Sequence, residues 1–311
     1  MGRTGIEVTE LCFGALPMGP LQKNLSVEES AKTIELALKL GVNFIDTAQM
    51  YKTYDPIAAA IKSAGIRPVI ASKSNKKSYQ EMEAAVNEAL QSLNLDYIDI
   101  FHLHAAREEA NAFEVFADSL RCLADMKKAG KIKAIGISTH SVAVANLAAD
   151  HELIDVVFPI INMNGMGILN GTKEEMIQAI HRIYDNGKGV YLMKVLAGGS
   201  LINHFDEAMQ FARNIGSYHS IALGMTSLEE VEYNLNYFEG KVTGALPTKN
   251  IEKKKALVFR ALCKCCGKCM TGCPNNAISF DEEKKACVDK TLCLTCGYCT
   301  PLCKEFAIRI V

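Results

Sequence analysis

No stretch of about eighteen apolar residues occurs in this 311-residue chain, so no membrane-spanning helix is expected. The opening "MGRTGIEVTELCFG" lacks the apolar core that a signal peptide needs, and the expected address is the cytoplasm. Charge is nearly balanced, at −1, which removes any global attraction to nucleic acid or to an anionic membrane. A doubly wound dinucleotide-binding sheet would carry G-x-G-x-x-G after an early strand, and neither "FGALPMG" nor "KVLAGG" fits. Cysteine is scarce through most of the chain: the first 250 residues hold two, Cys12 and Cys122, both expected in the core. What remains is an ordinary globular composition, 49% hydrophobic and 22% charged, in a chain long enough for one large domain and one small one.

The missing cysteines are all at the end, where ten of twelve lie between 263 and 303. Cys263, Cys266, Cys269 and Cys273 read C-x2-C-x2-C-x3-C, and Cys293, Cys296, Cys299 and Cys303 repeat it. In a reducing compartment such density points to metal or redox chemistry. Zinc ribbons use paired C-x2-C units rather than triplets with a trailing cysteine. Three thiolates at two-residue gaps can wrap one face of an iron–sulfur cube, and the fourth of each run ligates the other cluster. The expectation is therefore two [4Fe–4S] clusters, one held by Cys263, Cys266, Cys269 and Cys303, the other by Cys293, Cys296, Cys299 and Cys273. Residues 257–311 resemble bacterial two-cluster ferredoxins, with "NNAISF" and "EFAIRI" as echoes of an internal duplication. Cys265 and Cys287 fall outside the pattern and read as packed side chains. The segment carries eight basic and five acidic residues, which offsets the anionic clusters and also suits an acidic redox partner.

Upstream, short β-branched runs alternate with longer amphipathic ones. "LCFGAL", "FIDTA", "VIASK", "DIFHLH", "AIGIST", "VVFPII", "VYLMKV" and "IALGM" are the strands. "SVEESAKTIELALKLG" is a helix that opens on a Ser26–Glu29 capping box and closes at Gly41. Eight such units predict an α/β fold, a (β/α)8 TIM barrel over residues 1–240. A linker follows at 241–256, and a small α+β ferredoxin-like domain over 257–311.

Chemistry in such a barrel sits where the strands end. Asp46 ends the second strand, with Tyr51 just beyond; Lys73 ends the third and His104 the fourth. A lysine ammonium beside a phenol favours the phenolate and should lower its pKa. Asp46 can keep that ammonium charged, and His104 can orient a carbonyl oxygen. Tyr51 can then give a proton to an oxygen that gains charge as hydride arrives at carbon. His102, two residues from His104, faces the same side and reads as a buried hydrogen-bonded ring. His140 reads as a helix-start residue.

"MGRTGIEVTELCFGALPMG", "GVNFIDTAQMY", "VIASK", "YIDIFHLH" and "GISTH" resemble the aldo-keto reductases across residues 1–240. The resemblance implies the tetrad Asp46, Tyr51, Lys73 and His104, and a nicotinamide cofactor, NADP or NAD, across the barrel top. It implies cofactor contacts at Asp46, Ser138, Thr139, Asn162, Gly224, Thr226, Ser227 and Asn234, with Lys194 beside the phosphates or an anionic substrate. With the tail, the chain is similar to the family's iron–sulfur branch. Thr139 replaces the family's asparagine, Phe158 its glutamine, and Lys52 the glycine after the tyrosine. Glu232 stands in the position read as arginine, and because a carboxylate repels a 2′-phosphate, NAD is as open as NADP. Tyr54 is a second phenol nearby, and "INMNGMGIL" with the 105–112 loop should line the pocket. The implied activity is NAD(P)-dependent interconversion of a small carbonyl compound and its alcohol, coupled to or stabilised by the clusters. The competing reading is an electron-transfer protein whose barrel docks a partner or admits a flavin, although no residue pattern demands one.

Overall fold

Eight parallel strands close on one another in chain order, with β1 bonded to both β2 and β8. They are β1 Leu11–Gly14, β2 Phe44–Asp46, β3 Val69–Ser74, β4 Ile98–Ala105, β5 Ile132–Thr139, β6 Val156–Pro159, β7 Gly189–Leu192 and β8 Ser220–Gly224. Around them run α1 Val27–Lys39, α2 Tyr54–Ala64, α3 Tyr79–Leu93, the short α4 Ala112–Val115, α5 Ala117–Lys128, α6 Val142–Asp150, α7 Lys173–Asp185, α8 Phe205–Ile215 and α9 Leu228–Phe238. This computed structural model describes all residues except 21, 107, 200, 245–255, 274–275, 291, 294–298, 301 and 311, and Ile310 by its backbone alone. Cys296 and most of the expected linker lie outside the described residues. Among the described residues no helix is long and apolar enough to cross a membrane.

The strands form because their side chains are buried on both faces, the reason their sequences run apolar without strict alternation. Helix starts are set locally. Ser26 and Thr172 make full capping boxes with Glu29 and Glu175, and the hydroxyls of Ser78, Ser141 and Ser227 accept the amides of Glu81, Val144 and Glu230. These caps fix the starts of α1, α3, α6, α7 and α9, and the parallel strands put the βα loops at one rim.

After α9 the tail contributes β9 Ala256–Val258, the one-turn α10 Lys268–Thr271, β10 Ile278–Phe280, β11 Ala286–Val288 and β12 Ile308–Ile310. β10 pairs antiparallel with β11, and β12 with β9. Their small core, Cys263, Cys269, Ile278, Ala286, Cys299, Ala307 and Ile308, is separate from the barrel's. The two halves of the tail match in detail. Asn276 and Phe306 each lie three residues after a run's last cysteine, and each adopts left-handed backbone, at φ 51° and 52°.

Candidate active site

Lys73 is the hub. Its side chain points into the barrel mouth and is 1% exposed. The ammonium donates to both oxygens of Asp46, at 2.8 and 2.7 Å, and to the Thr47 carbonyl at 2.7 Å. It also lies 4.9 Å from the centre of the Tyr51 ring, close enough for its charge to act on the phenol. Tyr51 meets the His104 ring edge-on at 6.0 Å. Four residues from β2, the loop after it, β3 and β4 thus stand together. Burial works against the charge on Lys73, but the Asp46 carboxylate and the neighbouring phenol raise its pKa overall.

The expected lowering of the Tyr51 pKa is not what the site produces. Burial raises it above the ordinary phenol value, and the charge on Lys73 offsets only part of that. Tyr51 is therefore a protonated donor that becomes a strong base once its proton has left. His104 is pushed down to about 3, first by burial and then by the charges on Lys73 and Lys194. It is a neutral ring that donates or accepts hydrogen bonds without acting as an acid.

That depression has a consequence for stability. Between pH 6.5, the ordinary value, and about 3, unfolded His104 binds a proton that the folded ring refuses. Its contribution is favourable above pH 6.5 and declines as pH falls through this window. Urea unfolding midpoints should thus drop more steeply from pH 6.5 to 4.5 in the wild type than in His104→Gln.

Below the tetrad lies an aromatic layer that sequence reading missed. Tyr191 of β7 donates its hydroxyl proton to Asp46 at 2.9 Å and contacts His102 Nε2 at 2.8 Å. With its single proton given to Asp46, the hydroxyl oxygen accepts from His102, which fixes the His102 tautomer. Phe158 stacks on Tyr191 at 3.8 Å, and Phe44 meets it edge-on at 5.0 Å. Phe158 is therefore part of the floor. Tyr191 sits in the strand "VYLMKV", where inward parity was its available signal. Tyr191→Phe leaves Asp46 and His102 short of a buried partner and should cost about 1–3 kcal/mol in chemical denaturation.

Lys52 adopts the left-handed backbone, φ 55°, that glycine favours. The Tyr51 loop therefore keeps its turn without a glycine, and Lys52 reaches toward Glu88 at 3.4 Å. Tyr54 points elsewhere, its hydroxyl 2.7 Å from Ser72. Cys12 and Cys122 are fully buried.

The residues expected to hold a nicotinamide line the rim but are engaged with the chain itself. Ser138 is buried, its hydroxyl 3.5 Å from the Leu103 carbonyl. The Thr139 hydroxyl accepts the Ser141 amide at 3.0 Å. Asn162 donates to the Met166 carbonyl and accepts its amide, both at 2.9 Å, which closes a loop. At the start of α9, Glu230 takes the Thr226 amide at 2.6 Å and the Thr226 hydroxyl at 2.9 Å. A carboxylate thus sits where an incoming phosphate would find donors, and Lys23, which sequence reading missed, reaches Thr226 at 2.5 Å. The exposed Gly224 ends β8, and Glu232 is exposed. Asn234 is buried, and among the described residues its amide oxygen meets no donor. Lys194 lies 3.3 Å from His140 and 4.4 Å above the ring of Phe306, a tail residue.

In the tail, Cys263, Cys266, Cys269 and Cys303 line one pocket. Backbone amides of Ala286, Ala307 and Ala277 donate to the sulfurs of Cys263, Cys303 and Cys273 at 3.5, 3.2 and 3.3 Å. Among the described residues no three Cys, His, Asp or Glu side chains are placed to hold a single metal ion. Cys293 is half-buried and Cys299 buried. Cys287 pairs with the Ser279 hydroxyl at 3.2 Å, and Cys265 adopts φ 57°.

Comparison with known proteins places the barrel. Residues 10–217 match the model of the aldo/keto reductase family. Across 213 residues the chain is 25% identical to L-galactose dehydrogenase of Arabidopsis thaliana, covering 65% of this chain and 66% of that one. It is 32% identical over 135 residues to glyoxal reductase of Bacillus subtilis, covering 42% and 47%. The chain thus spans two thirds or less of these relatives' lengths. The holo form of an aldo-keto reductase from Bacillus halodurans superposes with a TM-score of 0.64 at 18% identity, covering 78% of this chain and 90% of that one. An aldo/keto reductase from Brucella melitensis gives 0.60 at 18%, covering 78% and 94%. Both share the barrel fold.

Proposed function

The chain belongs to the aldo/keto reductase family, and on that premise we propose that it interconverts a small aldehyde or ketone and its alcohol, with Tyr51 as the proton donor and acceptor. The observation that carries this reading is the gathering of the Asp46–Lys73 ion pair, the Tyr51 ring 4.9 Å from the Lys73 ammonium and a neutral His104 at one point of the rim. In the reducing direction His104 donates a hydrogen bond to the carbonyl oxygen and sets its pose. Tyr51 gives that oxygen its proton as the carbon is reduced, and Lys73 stabilises the phenolate left behind. Asp46, fixed by Tyr191, keeps Lys73 charged and in place. In the oxidising direction the same phenolate takes the proton back.

A bound NADP or NAD would supply the hydride. Asn234's orphaned oxygen suits such a ligand, but Ser138, Thr139, Asn162 and Thr226 are all engaged elsewhere. A nicotinamide that binds at this rim must take over hydrogen bonds that these side chains now make within the chain. The relative named for glyoxal reduction points to small α-dicarbonyl compounds as first substrates. Anaerobic incubation with glyoxal and NADPH or NADH, alcohol product being quantified, tests the reading. Absence of product in the wild type and in Tyr51→Phe alike removes it; product from the wild type alone supports it.

The division into a barrel over 1–240 and a ferredoxin-like unit over 257–311, joined by 241–256, is part of the same proposal. So are the clusters. A cubane spreads its ligands wider than a single ion does, and one cavity carries three cysteines of the first run and the last of the second. Amides aimed at sulfur suit thiolates. Cys263, Cys266, Cys269 and Cys303 would hold one [4Fe–4S] cluster, and Cys273, Cys293, Cys296 and Cys299 the other, supplying one-electron transfer with a redox partner.

A second reading, an electron-transfer protein whose barrel takes its electrons from the tail, is favoured by one observation: the tail's Phe306 sits on the rim expected to hold the cofactor. Product formed with dithionite as the only reductant, and none with NAD(P)H, would select it.

A further inference from the structure

Phe306 belongs to the tail by sequence and to the barrel by packing. It is 4% exposed, and among the described residues it is the one member of the barrel's hydrophobic core that comes from beyond residue 242. Its neighbours Ala307 and Ile308 belong to the tail's own core. The ring lies 5.9 Å from His140, edge-on, after β5, and 4.4 Å below the Lys194 ammonium, after β7. Gly198 approaches it to 3.9 Å from its ideal Cβ position. The floor of this socket is Gly167, after β6, at φ 80°. A Cβ there would lie 1.4 Å from a ring carbon. The barrel thus has a hole of the right size, made by the absence of a side chain.

The tail's duplication shows that the ring is there for the barrel. Asn276 is the matching residue of the first half, and asparagine tolerates left-handed backbone, whereas a bulky aromatic seldom adopts it. The turn at Cys303–Phe306 repeats the turn at Cys273–Asn276, each closed by a backbone hydrogen bond, 2.9 Å in one and 3.2 Å in the other. The fold of the tail alone would be served by asparagine at both places. Arg309, matched by Ser279, is 8% exposed. Its Nε donates to the Phe306 carbonyl at 3.0 Å, its guanidinium lies 4.3 Å from the Phe259 ring, and its charge bears on the Tyr51 phenol. The docked segment therefore reaches from the β5–β7 rim toward the proton donor.

Ser138 and Thr139 end β5 just before His140, and Asn162 and Lys194 lie in the loops after β6 and β7; these are the residues on which a nicotinamide would rest. We propose that Phe306 is a donor-specificity residue: seated in the Gly167 socket, it occupies part of the nicotinamide's place, so that tail docking and nicotinamide binding exclude each other. The inference deepens the reductase reading and rests on it. With the tail docked, the site is closed to nicotinamide and lies against the segment that begins at Cys303. With the tail lifted, the rim is open. By linkage, a nicotinamide that enters must weaken docking by the factor by which docking weakens it.

The test is equilibrium binding, independent of turnover. Full-length protein, prepared anaerobically, is titrated with NADPH and with NADH, followed by nicotinamide fluorescence, as wild type, Phe306→Asn and Phe306→Ala. Phe306→Asn installs the residue that the other half already uses in this turn, so unchanged iron content shows the tail still folded. Since apparent affinity scales with the competent fraction, the variants should bind about tenfold tighter or more. In the wild type, nicotinamide should speed hydrogen exchange at the amides of 306–309 and 165–167. Equal affinity in all three proteins, with exchange slowed or unchanged, overturns the inference and leaves the reductase reading standing. No binding to any of the three overturns both.

Discussion

Tyr51→Phe is expected to lower kcat/KM for carbonyl reduction by about 10²- to 10⁴-fold, the range that one positioned acid contributes, while nicotinamide affinity stays at its wild-type value. The substitution removes one oxygen from a side chain that is 9% exposed and leaves the ring in place. Among the described residues of the tetrad, this oxygen is the group free to pass a proton to substrate, since His104 is neutral and Lys73 is bonded to Asp46 and the Thr47 carbonyl. The pH profile follows from the direction of the Tyr51 shift. Because burial raises its pKa above 10, the acid form persists through the neutral and mildly alkaline range, and reduction should stay level there. Oxidation of the alcohol needs the phenolate, so its rate should climb with pH over the same range. Lys73→Met should be as inactive and also less stable, because it strands the Asp46 carboxylate in a buried site, a loss of about 3–5 kcal/mol when one partner of a buried pair is removed. A Tyr51→Phe enzyme with wild-type kcat/KM would remove the phenol from the mechanism.

The barrel and the meeting of Asp46, Tyr51, Lys73 and His104 were legible because both follow from position along the chain. A strand's end is readable from where its apolar run stops, and barrel topology turns four such ends into one rim. What was not legible depends on how much water the fold removes. The Lys73–Tyr51 contact was expected to lower the phenol's pKa, yet burial of the same pair outweighs the charge and raises it. The cofactor rim shows a different limit. Asn162 and Thr226 have the right chemistry at the right strand ends, but loop closure onto Met166 and a cap from Glu230 had first claim on their hydrogen bonds. Phe306 meets Gly167 across 139 residues of chain, and no local pattern reports such a contact. Its one trace is that the second echo, "EFAIRI", carries phenylalanine where the first, "NNAISF", carries asparagine.

If the tail holds the two clusters proposed for it, removing iron from the anaerobically prepared protein is expected to unfold residues 257–311 while the barrel keeps its own thermal transition. The two cores are separate, and among the described residues the tail's own core is three cysteines and four small or medium aliphatic residues. Two two-stranded sheets with so little apolar surface fall below what a unit of this size needs without staples. If clusters supply them, ligand binding and folding are one equilibrium, as in other small metal-dependent domains. Iron loss should then speed proteolysis and amide exchange across the tail and release Phe306 from its socket. Single substitutions sharpen this. Cys269→Ala and Cys303→Ala come from different cysteine runs, yet both line the same cavity, so each should leave the same remaining cluster signal by electron paramagnetic resonance and about half of the ~8 irons. If the two variants instead left different clusters, each run would ligate its own, and the crossed assignment would fail. If full iron removal left the tail as protected as before, its order would come from contact with the barrel, with Phe306 as the anchor rather than the thiolates.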